Sequence, residues 1–215
     1  YNRVIKQKNA LLQSARDNEL PLEKVSEMLE PWNTQLAKLS ARIHRARVRF
    51  IERINEVLEK KLFAREELSI RYLSSLEDKG DLADYENLIT ERLALRVQAE
   101  TLSGHALIGT HRDDMELKFD GHDIRKFGSA GQQRSALLLL QLANISVFNA
   151  TRGEYPLFLI DDIDAELDYR RIGKLLEFLD GKTQTFVTTS KESFVEKFGS
   201  SASVFKVENG TAKPA

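Results

Sequence analysis

The stretch that decides the fold begins Phe127-Gly128-Ser129-Ala130-Gly131-Gln132 and ends Leu157-Phe158-Leu159-Ile160-Asp161-Asp162. Ser129 and Gln132 have the spacing of a capping box, in which each side chain bonds the other residue's backbone N–H at a helix start. The apolar residues that follow predict a largely buried helix ending near Arg152-Gly153. A short apolar run that closes on two aspartates is typical of a buried parallel strand, which carries its carboxylates to the carboxyl edge of a sheet.

Four segments, in this order, resemble the motifs of an ABC-type ATPase head. Residues 128–132 take the place of the signature motif, and Asp161-Asp162 after an apolar run is similar to a Walker B motif. Residues 165–168 (Ala-Glu-Leu-Asp) resemble the D-loop, and residues 185–189 (Thr-Phe-Val-Thr-Thr) resemble the switch strand. The resemblance implies that the capped helix start and the acidic strand end both face a nucleotide.

Other segments make the chain similar to the RecF family of bacterial recombination mediators. Residues 109–114 (Gly-Thr-His-Arg-Asp-Asp) resemble a Gly-Pro-His-Arg-Asp-Asp segment of that family, and residues 1–12 resemble its helical domain. The resemblance covers nearly the whole chain and implies an α/β plus all-α fold. We expect a helical arm domain over residues 1–100 and, over 101–215, the carboxyl-terminal lobe of an ABC-type ATPase head, which is a partial P-loop NTPase fold.

Composition limits the remaining choices. The 215 residues are 41% hydrophobic and carry a net charge of −1, so any contact with DNA has to come from a local basic patch. The absence of cysteine removes disulfides and thiolate zinc sites and is compatible with a reducing cytoplasm. No apolar run reaches the roughly 18 residues of a membrane span, and no signal peptide is visible.

A phosphate-binding loop is missing from the sequence. Gly181-Lys182-Thr183 matches the end of a Gly-x-x-x-x-Gly-Lys-Ser/Thr motif, but Leu176 stands where its first glycine belongs. The segment also leads into a strand instead of opening a helix, so we interpret it as a turn. An ABC-type head needs this loop, so we expect the chain to be a carboxyl-terminal fragment whose missing amino-terminal head segment carries it.

Residues 1–100 are expected to be mostly helical. Asp17-Asn18 and Pro21 end a first helix, and Pro31 is expected to interrupt or restart the second. Leu68 to Tyr72 alternates like a strand, and a helix is expected from Asp84 to Ala99. Two sets of residues are expected to face inward, namely Val4, Ile5, Leu11, Leu12 and Ala15 on the first helix, and Leu88, Leu95 and Ala99 on the last. The steps of three and four predict a narrow seam, suited to a helical hairpin or short coiled coil, formed by Leu36, Leu39, Ile43, Ala46, Phe50, Ile54 and Val57.

From residue 101 the pattern becomes α/β. Residues 106–108 are expected to form a short strand. Met115 to Phe119 predicts another, which turns at Asp120-Gly121 so that Ile124 begins the return strand. Later elements are expected as a helix over 169–179, a strand over 185–188, a short helix over 192–198 and a last strand over 203–207, after which Asn209-Gly210 leads into a loose tail.

The acidic strand end is the candidate catalytic site. Asp161 has the position of the carboxylate that directs Mg²⁺, a hard ion that prefers oxygen ligands and retains several waters. Asp162 stands where many ABC-type heads have the glutamate that orients the attacking water, so a shorter side chain there implies slow hydrolysis. Thr188 and Thr189 occupy the switch region, where Thr189 is given a weak role in positioning water. The simpler interpretations are that the aspartates cap the following turn and that the threonines are ordinary strand-end residues.

The start of the capped helix is the candidate nucleotide contact. Ser129 and the N–H groups of Ala130, Gly131 and Gln132 lie where unpaired donors and the helix dipole attract anions. The resemblance implies that this element meets the γ-phosphate of ATP bound by an opposite subunit, and that Asp168 of the D-loop lies near the same interface. Ala130 replaces the glutamine that is usual in the family. An ordinary capped core helix is the simpler interpretation.

Two further segments have open interpretations. His111-Arg112-Asp113-Asp114 has no zinc-ligand spacing, so it is either part of a site, on the resemblance alone, or a structural salt-bridge cluster. A basic stretch on the second helix could bind DNA phosphates or could be a solvated helix face. Its DNA-binding candidates are Arg42, Arg45, Arg49 and Arg53.

The resemblance to RecF implies a mediator of DNA repair, replication and recombination in a bacterial cytoplasm. In the intact protein, ATP and Mg²⁺ would drive formation of a homodimer that clamps double-stranded or gapped DNA, and slow hydrolysis would release it. RecR and RecO are the implied partners, and the fragment alone is expected to be inactive. Two rivals stay open: another SMC-like chromosome ATPase, which residues 32–62 are too short to support, and a non-enzymatic helical adaptor with vestigial motifs.

Overall fold

A computed structural model describes residues 1–60, 67–163 and 169–215. The chain forms two compact units, which are described separately. Unit 1 consists of residues 1–55 and 69–117, and unit 2 consists of 56–68 and 118–215. Unit 1 therefore includes residues 101–117, which the sequence pattern assigned to the carboxyl-terminal lobe; the predicted boundary near residue 100 stays a prediction.

Two long helices begin unit 1. Helix α1 spans Asn2–Asp17 and helix α2 spans Leu22–Leu58. As predicted, the chain turns after Asp17, and Val4, Leu12 and Ala15 of α1 are buried. Lys8 lies on the same face and is also buried, which the apolar pattern did not indicate.

The prediction that Pro31 interrupts the second helix is wrong, because Pro31 lies inside the continuous helix α2. Pro31 lacks the N–H that would bond one turn back, so the helix has to be stabilised by packing on both sides. Val25 and Leu29, before the proline, pack in one apolar cluster with α1. Leu36 and Ala37, after it, are fully or almost fully buried in a second cluster. Tertiary packing therefore overrides the local signal.

The predicted seam of α2 is only partly buried. Leu36 and Ile54 are buried as expected, but Phe50 is 44% exposed and Ala46 is exposed. Most of the residues that replace them in the core are smaller or polar, so hydrophobicity alone did not identify those. The other buried α2 positions from residue 37 onward are Ala37, Ser40, Ala41, His44, Ile51 and Leu58.

The helix expected over residues 84–99 is two helices. Helix α3 spans Tyr85–Leu95 and α4 spans Val97–Ser103, with Arg96 between them at φ −106° and ψ 3°. Leu88 is buried as predicted, but Leu95 is 72% exposed because the chain changes direction directly after it.

The strand expected at residues 106–108 is not formed. The N–H groups of Leu107 and Ile108 donate instead to Oε1 of Glu100, at 2.8 and 3.3 Å. A side chain thus satisfies the donors that a neighbouring strand would otherwise pair with.

A three-stranded sheet has the order β1-β2-β3, formed by Leu68–Leu73, Asp114–Phe119 and His122–Asp123. The predicted turn at Asp120-Gly121 is confirmed: both residues have positive φ, 48° and 80°, and β2 pairs antiparallel with β3. The prediction that Ile124 begins the return strand is wrong, because the return strand is His122–Asp123 and Ile124 begins a helix. Asp123 accepts a hydrogen bond from the N–H of Arg125 and so starts a short helix, α5, at Ile124–Phe127.

Unit 2 contains the stretch that decides the fold. Helix α6 spans Ala130–Arg152, β4 spans Phe158–Ile160 and α7 spans Tyr169–Leu179. Strand β5, Thr185–Val187, lies parallel to β4 with Leu159 opposite Phe186. A helix (α8, Glu192–Phe198) and a hairpin (β6, Phe205–Glu208, with β7, Thr211–Pro214) follow. Asn209-Gly210 therefore makes a hairpin turn, not the start of a loose tail.

The strand that ends in Asp161 is less buried than predicted. Leu159 is 72% exposed, its cross-strand neighbour Phe186 is 53% exposed, and Leu157 is 61% exposed. On the described residues, β4 pairs with β5 in a two-stranded sheet, so one apolar face has no protein over it. The interior of α6 is buried as expected, with Leu142 and Ala143 at 0% exposure.

Across residues 1–60, 67–163 and 169–215, no helix is long and apolar enough to cross a bilayer.

Candidate functional site

Asp161 lies directly after β4, at the carboxyl end of the parallel pair, and its side chain is exposed. Its Oδ1 accepts a hydrogen bond from the Thr188 hydroxyl, which follows β5. The same hydroxyl oxygen accepts from the N–H of Asp162 at 2.8 Å, and the Thr188 N–H donates to the carbonyl of Ile160 at 2.9 Å. Thr188 therefore fixes the two strand ends together and orients one oxygen of Asp161, leaving the other oxygen for solvent or a ligand.

Asp162 has a φ of +49°, a left-handed conformation that few non-glycine residues adopt. The side chain of Asp162 is exposed. Such conformations cost of order 1–3 kcal/mol and are concentrated at functional sites.

Thr189 carries the other hydroxyl of the switch region. Its hydroxyl accepts from the N–H of Lys191 at 3.1 Å, just before α8. Thr188 therefore contacts the acidic strand end through its hydroxyl. The role of Thr189 in positioning water stays a prediction.

The capping box at the start of α6 is confirmed. The N–H of Ser129 donates to Oε1 of Gln132 at 2.9 Å, and the N–H of Gln132 donates to the Ser129 hydroxyl at 3.3 Å. Because the Gln132 N–H is used within the helix, Ala130 and Gly131 supply the donors that a first helical turn leaves unpaired. Ser129, Ala130 and Gly131 are all exposed, so an anion can reach them.

Nothing in the described part of the chain requires glycine at position 131. A Cβ built there would meet no atom within 4 Å, and its φ is not in the left-handed region. Gly128, by contrast, has to be glycine, because a Cβ there would lie 2.5 Å from the Ile124 carbonyl oxygen. A glycine with open space above it is suited to close approach of a ligand to the backbone.

The fit to Mg²⁺ rests on Asp161. Among residues 1–60, 67–163 and 169–215, no three His, Cys, Asp or Glu side chains converge on a possible metal position. That agrees with Mg²⁺ chemistry, in which one or two protein carboxylates act together with waters and nucleotide phosphates. Asp168, the D-loop candidate, lies outside the described residues.

The His111-to-Asp114 segment contains a buried carboxylate. The Asp113 side chain has no exposed surface, accepts from the Tyr72 hydroxyl, and accepts from the N–H of Ser75 at 2.8 Å. Nη1 of Arg47 lies 3.8 Å from Asp113 and donates to the Thr110 carbonyl at 2.6 Å. Asp113 thus acts as a structural centre that anchors the segment to α2 and β1, which is one of the two interpretations that the sequence left open.

Burial around this centre changes how its neighbours titrate. Burial raises the pKa of the Tyr72 and Tyr85 hydroxyls, and the nearby Asp113 charge raises both further. Burial also lowers the pKa of His44, which stacks on Tyr85 with ring centroids 4.0 Å apart, and the Asp113 charge opposes that shift only in part. These residues are therefore held in their neutral forms near neutral pH.

The basic candidates form one stripe. Since α2 is continuous, the steps from Arg42 to Arg45, Arg49 and Arg53 place the four residues on one side of the helix over about 16 Å. All four are exposed. Arg47 lies between them in sequence but points to Thr110 and Asp113, so it belongs to the structural centre instead.

An ion pair that the sequence did not predict lies inside unit 1. Nζ of Lys8 is 2.6 Å from Oε2 of Glu100, and neither side chain has exposed surface. Burial lowers the pKa of Lys8, and Glu100 opposes that shift. The sequence did contain a signal for this burial, because Lys8 has the helical spacing of Val4 and Leu12 and so lies on the apolar face of α1. A partner on α4 could be found only from the tertiary structure.

The chain is similar to curated proteins named DNA replication and repair protein RecF. It is 32% identical to that of Halothermothrix orenii over 224 residues, 36% identical to that of Synechococcus sp. (strain JA-3-3Ab), and 37% identical to that of Pelotomaculum thermopropionicum. These matches cover 98 to 100% of the chain but 57 to 58% of the relatives, so the chain spans a little under three fifths of their length.

The chain is also similar to solved structures of RecF. The recombination mediator protein RecF of the RecFOR pathway, in its RecF-ATP and RecF-ATPrS forms, superposes on the chain with a TM-score of 0.80 at 26% identity. The match covers 100% of this chain and 56% of those chains. No family model matches the sequence.

Proposed function

Because the chain belongs to the RecF family, we propose that it is the part of a DNA repair and recombination mediator that closes over ATP bound by another subunit. The intact protein would bind ATP through a phosphate loop, which this sequence does not contain. Closure would form a homodimer that clamps double-stranded or gapped DNA in the bacterial cytoplasm, and slow hydrolysis would release it.

The observation that carries the proposal is Asp161, exposed at the end of a parallel strand and held by the Thr188 hydroxyl. One carboxylate oxygen is oriented and the other is available. A metal ion that bridges the protein and the phosphates requires this arrangement. Mg²⁺ would neutralise charge on the phosphates. Asp162 would orient the attacking water; its short side chain and turn conformation support slow hydrolysis.

The start of α6 would supply the second half of the site. Ser129 is exposed, and the N–H groups of Ala130 and Gly131 have no partner within the helix, so they suit a γ-phosphate presented by the opposite subunit. The open space above Gly131 supports an approach from outside the chain. Asp168 is proposed to lie at the same interface.

The test is Asp161→Asn in the intact protein, with Asp180→Asn as the matched control on an exposed turn. We expect Asp161→Asn to abolish ATP-dependent dimerisation, measured by analytical ultracentrifugation with Mg²⁺-ATP, and Asp180→Asn to leave it unchanged. If Asp161→Asn dimerises normally and still binds DNA and RecR, the adaptor alternative is correct and the ATPase proposal is wrong.

Activity of the chain alone gives an independent check. Without a phosphate loop, the purified 215-residue chain should neither bind ATP tightly nor hydrolyse it. Turnover of ATP by the chain with no other polypeptide present, verified by intact mass, would contradict the proposal.

DNA is proposed to meet the arginine stripe on α2. We expect Arg42→Glu with Arg49→Glu to weaken duplex binding and to reduce the slope of log K against log salt by about 1 for each lost phosphate contact. Lys24→Glu, also exposed on α2 but near its other end, is the control. An unchanged salt slope in the double variant would show that the stripe is only a solvated face.

RecR and RecO are proposed as protein partners. The support is that the similar solved structures are of RecF in the RecFOR pathway. Co-sedimentation of purified RecR and RecO with the intact protein tests this directly.

A further inference from the structure

We propose that a groove in unit 1, between the start of α2 and the junction of α3 with α4, binds a basic amphipathic helix of another protein. None of the residues that line the groove belongs to the acidic strand end, the start of α6 or the arginine stripe, and the proposed ATP and DNA roles do not use them. It has a volume of about 340 Å³ and opens to solvent.

The groove has apolar walls. Leu22 lies with the polar residues Glu23 and Ser26 on the α2 side, and Ala94, Leu95 and Val97 lie with Gln98 on the other. Leu22 is 46% exposed and Leu95 is 72% exposed, whereas Val97 is buried at the bottom of the groove. Leu102, also 72% exposed, lies one turn along α4 from Gln98, a residue of the wall, and extends the apolar surface. Large aliphatic side chains left in water at one place indicate an interaction surface.

The rim is acidic. Glu23 lines the groove, and Glu27 and Glu30 follow it at steps of four and three, so the three carboxylates form one stripe along α2. On the opposite side, Glu91 lies one turn before Leu95 and is exposed. The exposed basic residues near the groove are Lys24 and Arg96, so negative charge predominates.

The negative charge on the rim determines which class of molecule can bind in the groove. Duplex DNA would be repelled by the carboxylates, and a membrane surface that carries anionic lipids would be repelled for the same reason. A groove between helices with apolar walls fits the apolar face of another helix, read at steps of three and four. Lys and Arg on the flanks of that helix would meet Glu23, Glu27 and Glu91.

The probe is a fluorescein-labelled synthetic peptide of about 18 residues, long enough for a marginally stable helix. It carries leucines at helical steps of three and four and lysines on both flanks. A matched peptide has the same leucines with glutamate in place of lysine. Binding to the 215-residue chain is measured by fluorescence anisotropy, and the peptide's helix content on binding by circular dichroism.

Two groove variants and one control complete the experiment. Leu95→Gln removes an apolar wall, and Glu23→Lys with Glu27→Lys reverses the rim. The control is Glu52→Lys with Glu56→Lys, two exposed glutamates near the other end of α2. Each variant's thermal unfolding is compared with that of the wild type, and since all these side chains are exposed we expect little change.

We expect the lysine peptide to bind and the glutamate peptide to bind at least about 10-fold more weakly. Either groove variant should weaken binding of the lysine peptide by on the order of 10-fold, and the control variant should bind it like the wild type. The proposal is overturned if both peptides bind equally, if neither binds, or if the groove variants bind like the wild type. It is also overturned if sedimentation shows that the groove variants dissociate a dimer of the chain. The proposal is likewise overturned if the lysine peptide binds the 215-residue chain but not the intact protein, since a segment of the intact protein then occupies the groove.

Discussion

The two compact units differ in which side chains they bury and which they leave in water. Unit 1 encloses charged side chains and gives them partners, as Lys8 with Glu100 and Asp113 with Tyr72 show. Unit 2 leaves apolar side chains of its short strands in water, where Leu159 and Phe186 face each other across β4 and β5 at 72% and 53% exposure.

The difference shows where each unit is sensitive to mutation. Removing one member of a buried charged pair leaves the other without its counter-charge, so unit 1 should lose stability when such a pair is broken. An exposed apolar strand face is a surface that further protein would cover, and the chain spans a little under three fifths of its curated relatives. We therefore expect mutations to affect folding in unit 1 and solubility in unit 2.

The largest effect is expected at the buried ion pair. Lys8→Met should leave the Glu100 carboxylate buried without its counter-charge and lower the free energy of unfolding by about 3–5 kcal/mol. Adding Glu100→Gln should recover most of the loss, since the amide of the new side chain retains an oxygen for the N–H groups of residues 107 and 108. Urea denaturation of the two variants measures both values. A double variant no more stable than Lys8→Met would show that the pair is not coupled.

The next effect is expected at Asp113. Tyr72→Phe removes a hydroxyl that donates to a buried carboxylate, which should cost about 1.5–3 kcal/mol in chemical denaturation. Tyr155→Phe, an exposed tyrosine of unit 2, should change stability by less than about 0.5 kcal/mol. Equal effects of the two substitutions would remove the basis for treating Asp113 as a structural centre.

The third effect depends on pH. Burial lowers the pKa of His44 below its unfolded value, so the folded state favours neutral histidine. This contribution is present above the unfolded pKa of about 6.5 and is lost as the pH falls through the folded pKa. We expect the free energy of unfolding to decrease between about pH 7 and pH 5, with a smaller slope in His44→Gln. His105→Gln, at an exposed position, should retain the wild-type slope; equal slopes in all three proteins would contradict the assignment.

The smallest effect on stability is expected in the exposed sheet. Leu159→Ser should change the free energy of unfolding by less than about 0.5 kcal/mol, because the side chain already contacts water. Leu142→Ala, in the buried interior of α6, should cost about 2–5 kcal/mol. Light scattering at high protein concentration should show less aggregation for Leu159→Ser than for the wild type. A large loss of stability in Leu159→Ser would mean that this face is already covered.

Local signals in the sequence predicted the elements that frame the candidate site. The capping box of Ser129 with Gln132, the end of α6 at Arg152, and the turn at Asp120-Gly121 were all confirmed. Each depends on residues within four positions of one another, so the sequence contains the whole interaction. The order of motifs also indicated the RecF family, and the comparisons confirmed it.

Contacts between distant residues were settled only by tertiary structure. The hydroxyl that orients Asp161 belongs to Thr188, 27 residues away, and the register of β4 against β5 brings it to the acidic strand end. Pro31 lies inside a helix because apolar clusters on both sides of it stabilise α2. Lys8 is buried because α4 brings Glu100 to it. A sequence specifies which side chains are available, but the free energy of burying or pairing them depends on neighbours that only the folded chain brings together.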